Sequence, residues 1–249
     1  MLIQQTQSKL RELKLKGMAD AYERQLSQVS VQGLSFDERF SFLVDSETSA
    51  RESRKLNRLL KSARFRYQAF YEDIDFRPTR ELDKGLFASM SSCEWVRRRQ
   101  NVLLIGATGT GKSWLGCALG TQACRNGMTV LFRTAGALFE EMAIARVDGS
   151  LPKLRSQLVK ANVLVIDDLG LAPIDLGVGH VLLEIIDQRA DTGALVITSQ
   201  YPTERWHGFF NDPTLADAIL DRIVHASHKI QLRGESMRKV KARKKAKDE

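Results

Sequence analysis

The sequence is poor in the residues that stabilise secreted or membrane-bound chains. Its 249 residues include three cysteines, Cys93, Cys117 and Cys124. None forms a CxxC pair, and no histidine cluster completes a zinc site, so a reducing compartment fits best. No apolar run approaches the roughly 20 residues that a bilayer-spanning helix needs. The opening stretch MLIQQTQSKLRELKLKG lacks the apolar h-region of a secretory signal. A cytoplasmic protein without a membrane partner is the expectation. Internal repeats are also lacking.

Charge is unbalanced. Lys and Arg number 38 against 30 Asp and Glu, a formal net charge of +8. That excess favours a polyanionic partner such as nucleic acid.

The first 70 or so residues contain no strand-like runs. Leu2, Ile3, Leu10, Leu13, Ala21 and Leu26 are spaced as on helices, and FDERFSFLVDSETSARESRKLNRLLKSARFRYQAFYED continues the pattern. Gly33 and its polar neighbours mark a turn between them. Beyond residue 100, short aliphatic runs alternate with amphipathic segments: NVLLIG, MTVLFRT, NVLVIDD, ALVITSQ and HKIQL. That alternation predicts an α/β fold, a parallel sheet flanked by helices, behind a small all-α domain. The expected boundaries are a helical domain over 1–72, a second domain with an N-terminal linker over 73–239, and a charged basic tail over 240–249.

The run NVLLIGATGTGKSWLG carries Gly106-x4-Gly111-Lys112-Ser113 between a predicted strand and a predicted helix. This context makes a phosphate-binding P-loop. Glycines let the backbone wrap tightly, so successive N–H groups face phosphate oxygens, and the helix N-terminus adds partial positive charge. The cradle comprises Gly106, Ala107, Thr108, Gly109, Thr110, Gly111, Lys112, Ser113 and Trp114. Lys112 is expected on the β and γ phosphates of ATP, and Ser113 on Mg2+. In NVLVIDDLG an aliphatic run meets two adjacent carboxylates, which are costly to bury unpaired. With a P-loop present, Asp167 is assigned to the magnesium and Asp168 to the base that polarises the attacking water.

These motifs, with LKLKGMADAY, VITSQYP, DPTLADAILDRIVH and GESMRK, resemble the DnaC/IstB group of AAA+ ATPases over nearly the whole chain, and within it the helper ATPases of IS21-type transposons. The resemblance implies a sensor strand, here ALVITSQ, between the P-loop strand and the strand of the acid pair. Gln200 matches the polar residue that orients the lytic water, where many relatives carry Asn, with Ser199 as the alternative. Arg222 matches an arginine finger that acts on a neighbouring subunit's nucleotide, against the plain reading of a surface ion pair with Asp217 or Asp221. Arg238 matches a second, cis-acting sensor. The separate helical lid of larger relatives is not expected.

The stretch RESRKLNRLLKSARFR holds Arg51, Arg54, Lys55, Arg58, Lys61, Arg64 and Arg66, interrupted only by Glu52. Several step by three or four, so one helix face is basic and suits a line of phosphates. The rings of Phe65, Tyr67, Phe70 and Tyr71 are expected to pack the small helical domain or staple it to the second domain, with base stacking as the alternative. WVRRRQ and the terminal lysines are further phosphate candidates. Without a base-reading motif, binding to double-stranded DNA is expected to be largely independent of sequence. The resemblance implies a homo-oligomer with active sites at subunit interfaces, a helper that assembles on target DNA and recruits an IstA-like transposase. The alternative is a DnaC-like loader of a replicative helicase.

Overall fold

The computed structural model describes residues 2–28, 31, 33–171, 174–225 and 227–240. The chain forms two compact units, Met1–Arg58 and Leu59–Glu249. This division falls earlier than the residue 72 read from sequence texture. The reason is packing: Leu59, Ala63 and Ala69 are buried within the second unit. The charged tail expected from residue 240 lies, from 241 onward, outside the described residues.

The first unit is helical, with α1 (Leu2–Glu12), α2 (Lys16–Ser27) and most of α3 (Phe36–Ala63). Small residues, Ala19 and Ala21, supply its buried positions. A buried carboxylate, Glu47, accepts the Met18 N–H at 3.2 Å and so satisfies an orphan donor in the first turn of α2. Glu47 also binds Arg51 at 2.7 Å and Arg54 at 3.0 Å.

The second unit is built on five parallel strands: β1 (Asn101–Gly106), β2 (Val130–Thr134), β3 (Val163–Leu169), β4 (Ala194–Ser199) and β5 (Ser227–Leu232). Their order is β2-β3-β4-β1-β5. Every aliphatic run identified in the sequence is one of these strands. The strand of ALVITSQ, β4, lies between β1 and β3, the position the resemblance implied for it. The helices are α4 (Lys84–Met90), α5 (Glu94–Arg97), α6 (Lys112–Arg125), α7 (Ala135–Asp148), α8 (Leu151–Lys160), α9 (Leu176–Ala190) and α10 (Pro213–Val224).

Strand runs are continuously apolar because both faces of the sheet are covered. Leu103, Ile105, Leu164, Ile166, Leu195 and Ile197 join the core with Leu138 and Met142 of α7, Ile185 of α9 and Ile219 of α10. The alternate residues Val165, Val196 and Thr198 face α6 at Gly116. Strand parity thus carries Asp167, two residues after Val165, to the α6 side.

The helical reading carried to Asp73 stops instead at Ala63, and the aromatic residues that follow pack within the second unit rather than the helical domain. Phe65 meets Phe132 edge-on at 6.5 Å, Phe76 meets Phe87 at 5.6 Å, and Arg125 lies over Phe70 at 5.5 Å. In WVRRRQ, Trp95 and Val96 are buried, while Arg97 and Arg98 pair with Glu94 and Arg99 with Asp191.

Candidate active site

The strand β1 ends at Gly106, where the chain leaves the sheet and turns back into α6 at Lys112. A β-carbon at Gly106 would collide with the Leu232 carbonyl of β5, so close backbone approach demands glycine. Gly111 precedes the first turn of α6 with φ 95°, a left-handed conformation that glycine adopts without strain. The loop between them exposes Ala107 and Thr108 and buries Thr110. Ser113 and Trp114 stand half-buried in the first turn of α6.

Lys112 is 5% exposed, and its Nζ donates to the Ala107 carbonyl at 2.9 Å. Burial depresses its pKa, while Asp168 and Asp167 oppose that shift and Arg238 adds to it. Arg238 thus lies within electrostatic range of the P-loop lysine. Its segment is tied to the loop by the Met237 N–H, which donates to the Gly109 carbonyl at 2.8 Å.

Asp167 is fully buried. Its Oδ1 accepts from Thr198 of β4 at 2.6 Å, and its Oδ2 has no hydrogen-bond partner among the described residues. Burial raises its pKa, and the bond from Thr198 and the nearby Ser113 hydroxyl partly offset this. Pairing of β3 with β4 slips between Ile166 and Leu169, and Asp168 within the slip has φ 62°. Without that bulge, strand alternation would send Asp168 to the opposite face. Instead the Asp168 N–H donates to the Thr198 hydroxyl at 2.9 Å, and the two carboxylates converge. Thr198 therefore fixes both acids, a role the sequence reading missed. The available signal was a hydroxyl inside an otherwise aliphatic strand, which must find a partner when buried.

Gln200 follows β4 and accepts from the Thr108 hydroxyl of the P-loop at 2.8 Å. Ser199 is fully buried, donates to the Leu169 carbonyl at 2.8 Å and receives the Tyr201 N–H. Of the two residues at the end of β4, Gln200 touches the loop, and Ser199 holds β3 to β4.

Arg66 departs from its expected place among DNA contacts. Its Nη1 lies 3.7 Å from Asp168 and 3.8 Å from Asp167. It falls beyond the end of α3, where Phe65 and Tyr67 have already broken the helical spacing of the basic stripe. Arg51 and Arg54 are exposed but share Glu47, an acid just outside the stretch that looked acid-poor. Lys55, Arg58, Lys61 and Arg64 are exposed. Arg80, also missed, is buried and donates to the Thr110 carbonyl of the P-loop at 2.8 Å and to the Asp75 carbonyl at 2.9 Å.

Arg222, near the end of α10, pairs with Asp187 of α9 and donates to the Ala218 carbonyl at 2.7 Å. The ion pair with Asp217 or Asp221 weighed in the sequence is not the one formed. The Arg222 carbonyl accepts from Asn101, the first residue of β1, whereas the P-loop begins at its last. Six residues of strand span roughly 17 Å at about 3.3 Å per step. Arg222 thus stands at the far end of the sheet from its own P-loop.

Among the described residues no group of His, Cys, Asp or Glu forms a metal cluster, and no helix is long and apolar enough to cross a membrane. The donors at the acid pair nevertheless suit magnesium: a buried carboxylate oxygen without a hydrogen bond, beside a serine hydroxyl, both hard oxygen ligands.

The family model of IstB-like ATP binding proteins matches residues 8–246. A putative insertion sequence ATP-binding protein of Sinorhizobium fredii is 41% identical, over 98% of this chain and 100% of its own length. The putative ATP-binding protein of insertion sequence IS1162 from Pseudomonas fluorescens is 45% identical, over 82% and 88%. Among solved structures, DnaI aligns with TM-score 0.55 and 20% identity over 68% of this chain and 90% of its own. DnaA bound to AMPPCP and single-stranded DNA aligns with TM-score 0.58 and 16% identity over 74% and 56%. The structural likenesses show the fold.

Proposed function

Because the chain belongs to the family of IstB-like ATP binding proteins, we propose that it is an ATPase whose nucleotide cycle controls assembly on duplex DNA during transposition. ATP-bound subunits gather on the target, recruit a transposase, and are reset by hydrolysis. The observation that carries the ATPase reading is the convergence of Asp167 and Asp168 beside the P-loop lysine.

Lys112 exchanges its bond to Ala107 for phosphate oxygens, and Gln200 with Thr108 orients the attacking water. Asp168 accepts the proton of that water as its oxygen bonds to the γ phosphorus and the bond to the β–γ bridging oxygen breaks. Magnesium, when bound through Asp167 and Ser113, neutralises charge on the β and γ phosphates.

Its place at the far end of the sheet supports Arg222 as a finger for a neighbouring subunit. Its planar, permanent charge suits the charge that builds on the transferred phosphoryl group. Arg222→Ala alone is expected to bind ATP normally and hydrolyse it poorly. Mixed in equal amounts with Lys112→Ala, it should recover up to about a quarter of wild-type activity, because that share of interfaces joins a good pocket to a good finger. Mixed assemblies that form yet stay inactive would remove the trans assignment.

Helix α3 is the proposed DNA-binding part, with Lys55, Arg58 and Lys61 among its exposed cations. Each phosphate neutralised steepens the salt dependence of affinity by about 0.9 in log–log slope. Changing Arg54, Arg58 and Lys61 together to Gln should flatten that slope by about two to three units. The lower figure applies if Arg54 stays committed to Glu47. Affinity for unrelated duplexes should fall equally, and ATPase activity without DNA should persist. An unchanged slope in a folded variant would make the stripe a solvated face. The fold also resembles that of the DnaC helicase loader, at TM-score 0.55 and 16% identity over 67% of this chain and 98% of its own. Failure to bind long duplex DNA with ATP present would favour a loader.

A further inference from the structure

The Oδ2 of Asp167 is buried and accepts no hydrogen bond among the described residues. The nearest cation, Arg66 Nη1, is 3.8 Å away, too far for a hydrogen bond but close enough to offset charge. The same nitrogen lies 3.7 Å from Asp168 Oδ2. Among the described residues, Arg66 is the one side chain whose cation comes within 4.0 Å of both acids. Lys112 is meanwhile bonded to the Ala107 carbonyl.

Around Arg66 the chain is anchored. Phe65 packs against Gly120 of α6 and Phe132 of β2, and the Arg66 guanidinium lies 5.5 Å from the centre of the Tyr67 ring. Arg66 itself is 45% exposed, so its side chain has a path to solvent from a fixed backbone.

We infer that Arg66 is the resident counter-cation of the Asp167–Asp168 pair and gives up that place to the divalent cation that enters with nucleotide. The inference rests on the reading of this pocket as a magnesium-dependent ATP site. A guanidinium cannot shed its proton, so repulsion from a divalent cation at the same carboxylates is relieved only by movement. Two carboxylates alone must then bind a metal against Arg66. Added phosphates tip the balance, and metal entry becomes conditional on nucleotide.

Two measurements test this. Mn2+ binding is read from the resonance of the free ion, with and without AMPPNP, in wild type and Arg66→Gln. The variant should bind Mn2+ about three- to tenfold more tightly, with the larger gain when nucleotide is absent. Equal or weaker binding in a folded variant overturns the competition. In wild type, labelling of Arg66 by phenylglyoxal, resolved by peptide mass spectrometry, should rise with Mg2+ and AMPPNP but not with AMPPNP and EDTA. Unchanged labelling or protection overturns the release, whether or not the variant folds. Nucleotide-dependent Mn2+ binding in wild type separates the two ideas. Its absence sinks the pocket reading itself, whereas its presence with either contrary result sinks only the role of Arg66.

Discussion

Asp168→Asn is expected to bind ATP at least as tightly as wild type and to hydrolyse it about 10²- to 10⁴-fold more slowly, the usual contribution of a general base. The substitution is close to isosteric. Asparagine tolerates the left-handed backbone that Asp168 adopts at φ 62°, and the N–H to Thr198 is retained. What changes is chemistry: the amide cannot accept the water's proton. One negative charge also leaves the surroundings of the incoming phosphates, which favours binding. Equilibrium binding of a fluorescent ATP analogue and the rate of phosphate release check both halves. Phosphate release at the wild-type rate would move the base elsewhere.

Lys112→Ala should fail earlier, at binding. Lys112 is nearly inaccessible and already points its ammonium at a P-loop carbonyl, so the charge is pre-positioned where phosphate oxygens arrive. Truncating one partner of such a buried, charge-assisted contact costs about 2–5 kcal/mol, or roughly 30- to several-thousand-fold in affinity. A loss near 10²- to 10³-fold is expected, with helical content unchanged by circular dichroism. The same substitution takes a positive charge from the neighbourhood of Asp167 and Asp168. ATP binding within a few-fold of wild type would argue that the backbone cradle alone holds the nucleotide.

The sheet could be read from sequence because its strands are buried on both faces, which leaves unbroken aliphatic runs such as Val102–Ile105 and Val163–Ile166. The P-loop was legible for a different reason. Glycine spacing, Lys112 and Ser113 are local, and local geometry needs no knowledge of the rest of the fold. Arg66 and Arg80 were not legible as neighbours of the pocket because their partners lie far along the chain, and Thr198 offered only a hydroxyl in an aliphatic strand. Arg66 meets acids about a hundred positions later, a pairing that only the tertiary fold creates. The basic stripe was misjudged at its edge: Glu47, four residues before Arg51, holds two of its arginines. Arg222 was weighed against acids on its own helix, yet it pairs with Asp187 on the helix packed beside it.

The separation of Arg222 from its own P-loop by the length of β1 has a consequence for how copies can join. If one copy's arginine serves the next copy's pocket, the contact is heterologous, front of one against back of another. Repetition of such a contact either closes a ring or grows an open helix. A closed ring has as many complete sites as subunits. An open array always has one fewer, with an unfilled pocket at one end and an idle arginine at the other. Turnover per subunit in an open array therefore climbs with length toward a plateau, so a DNA that templates longer arrays raises the rate without touching the chemistry.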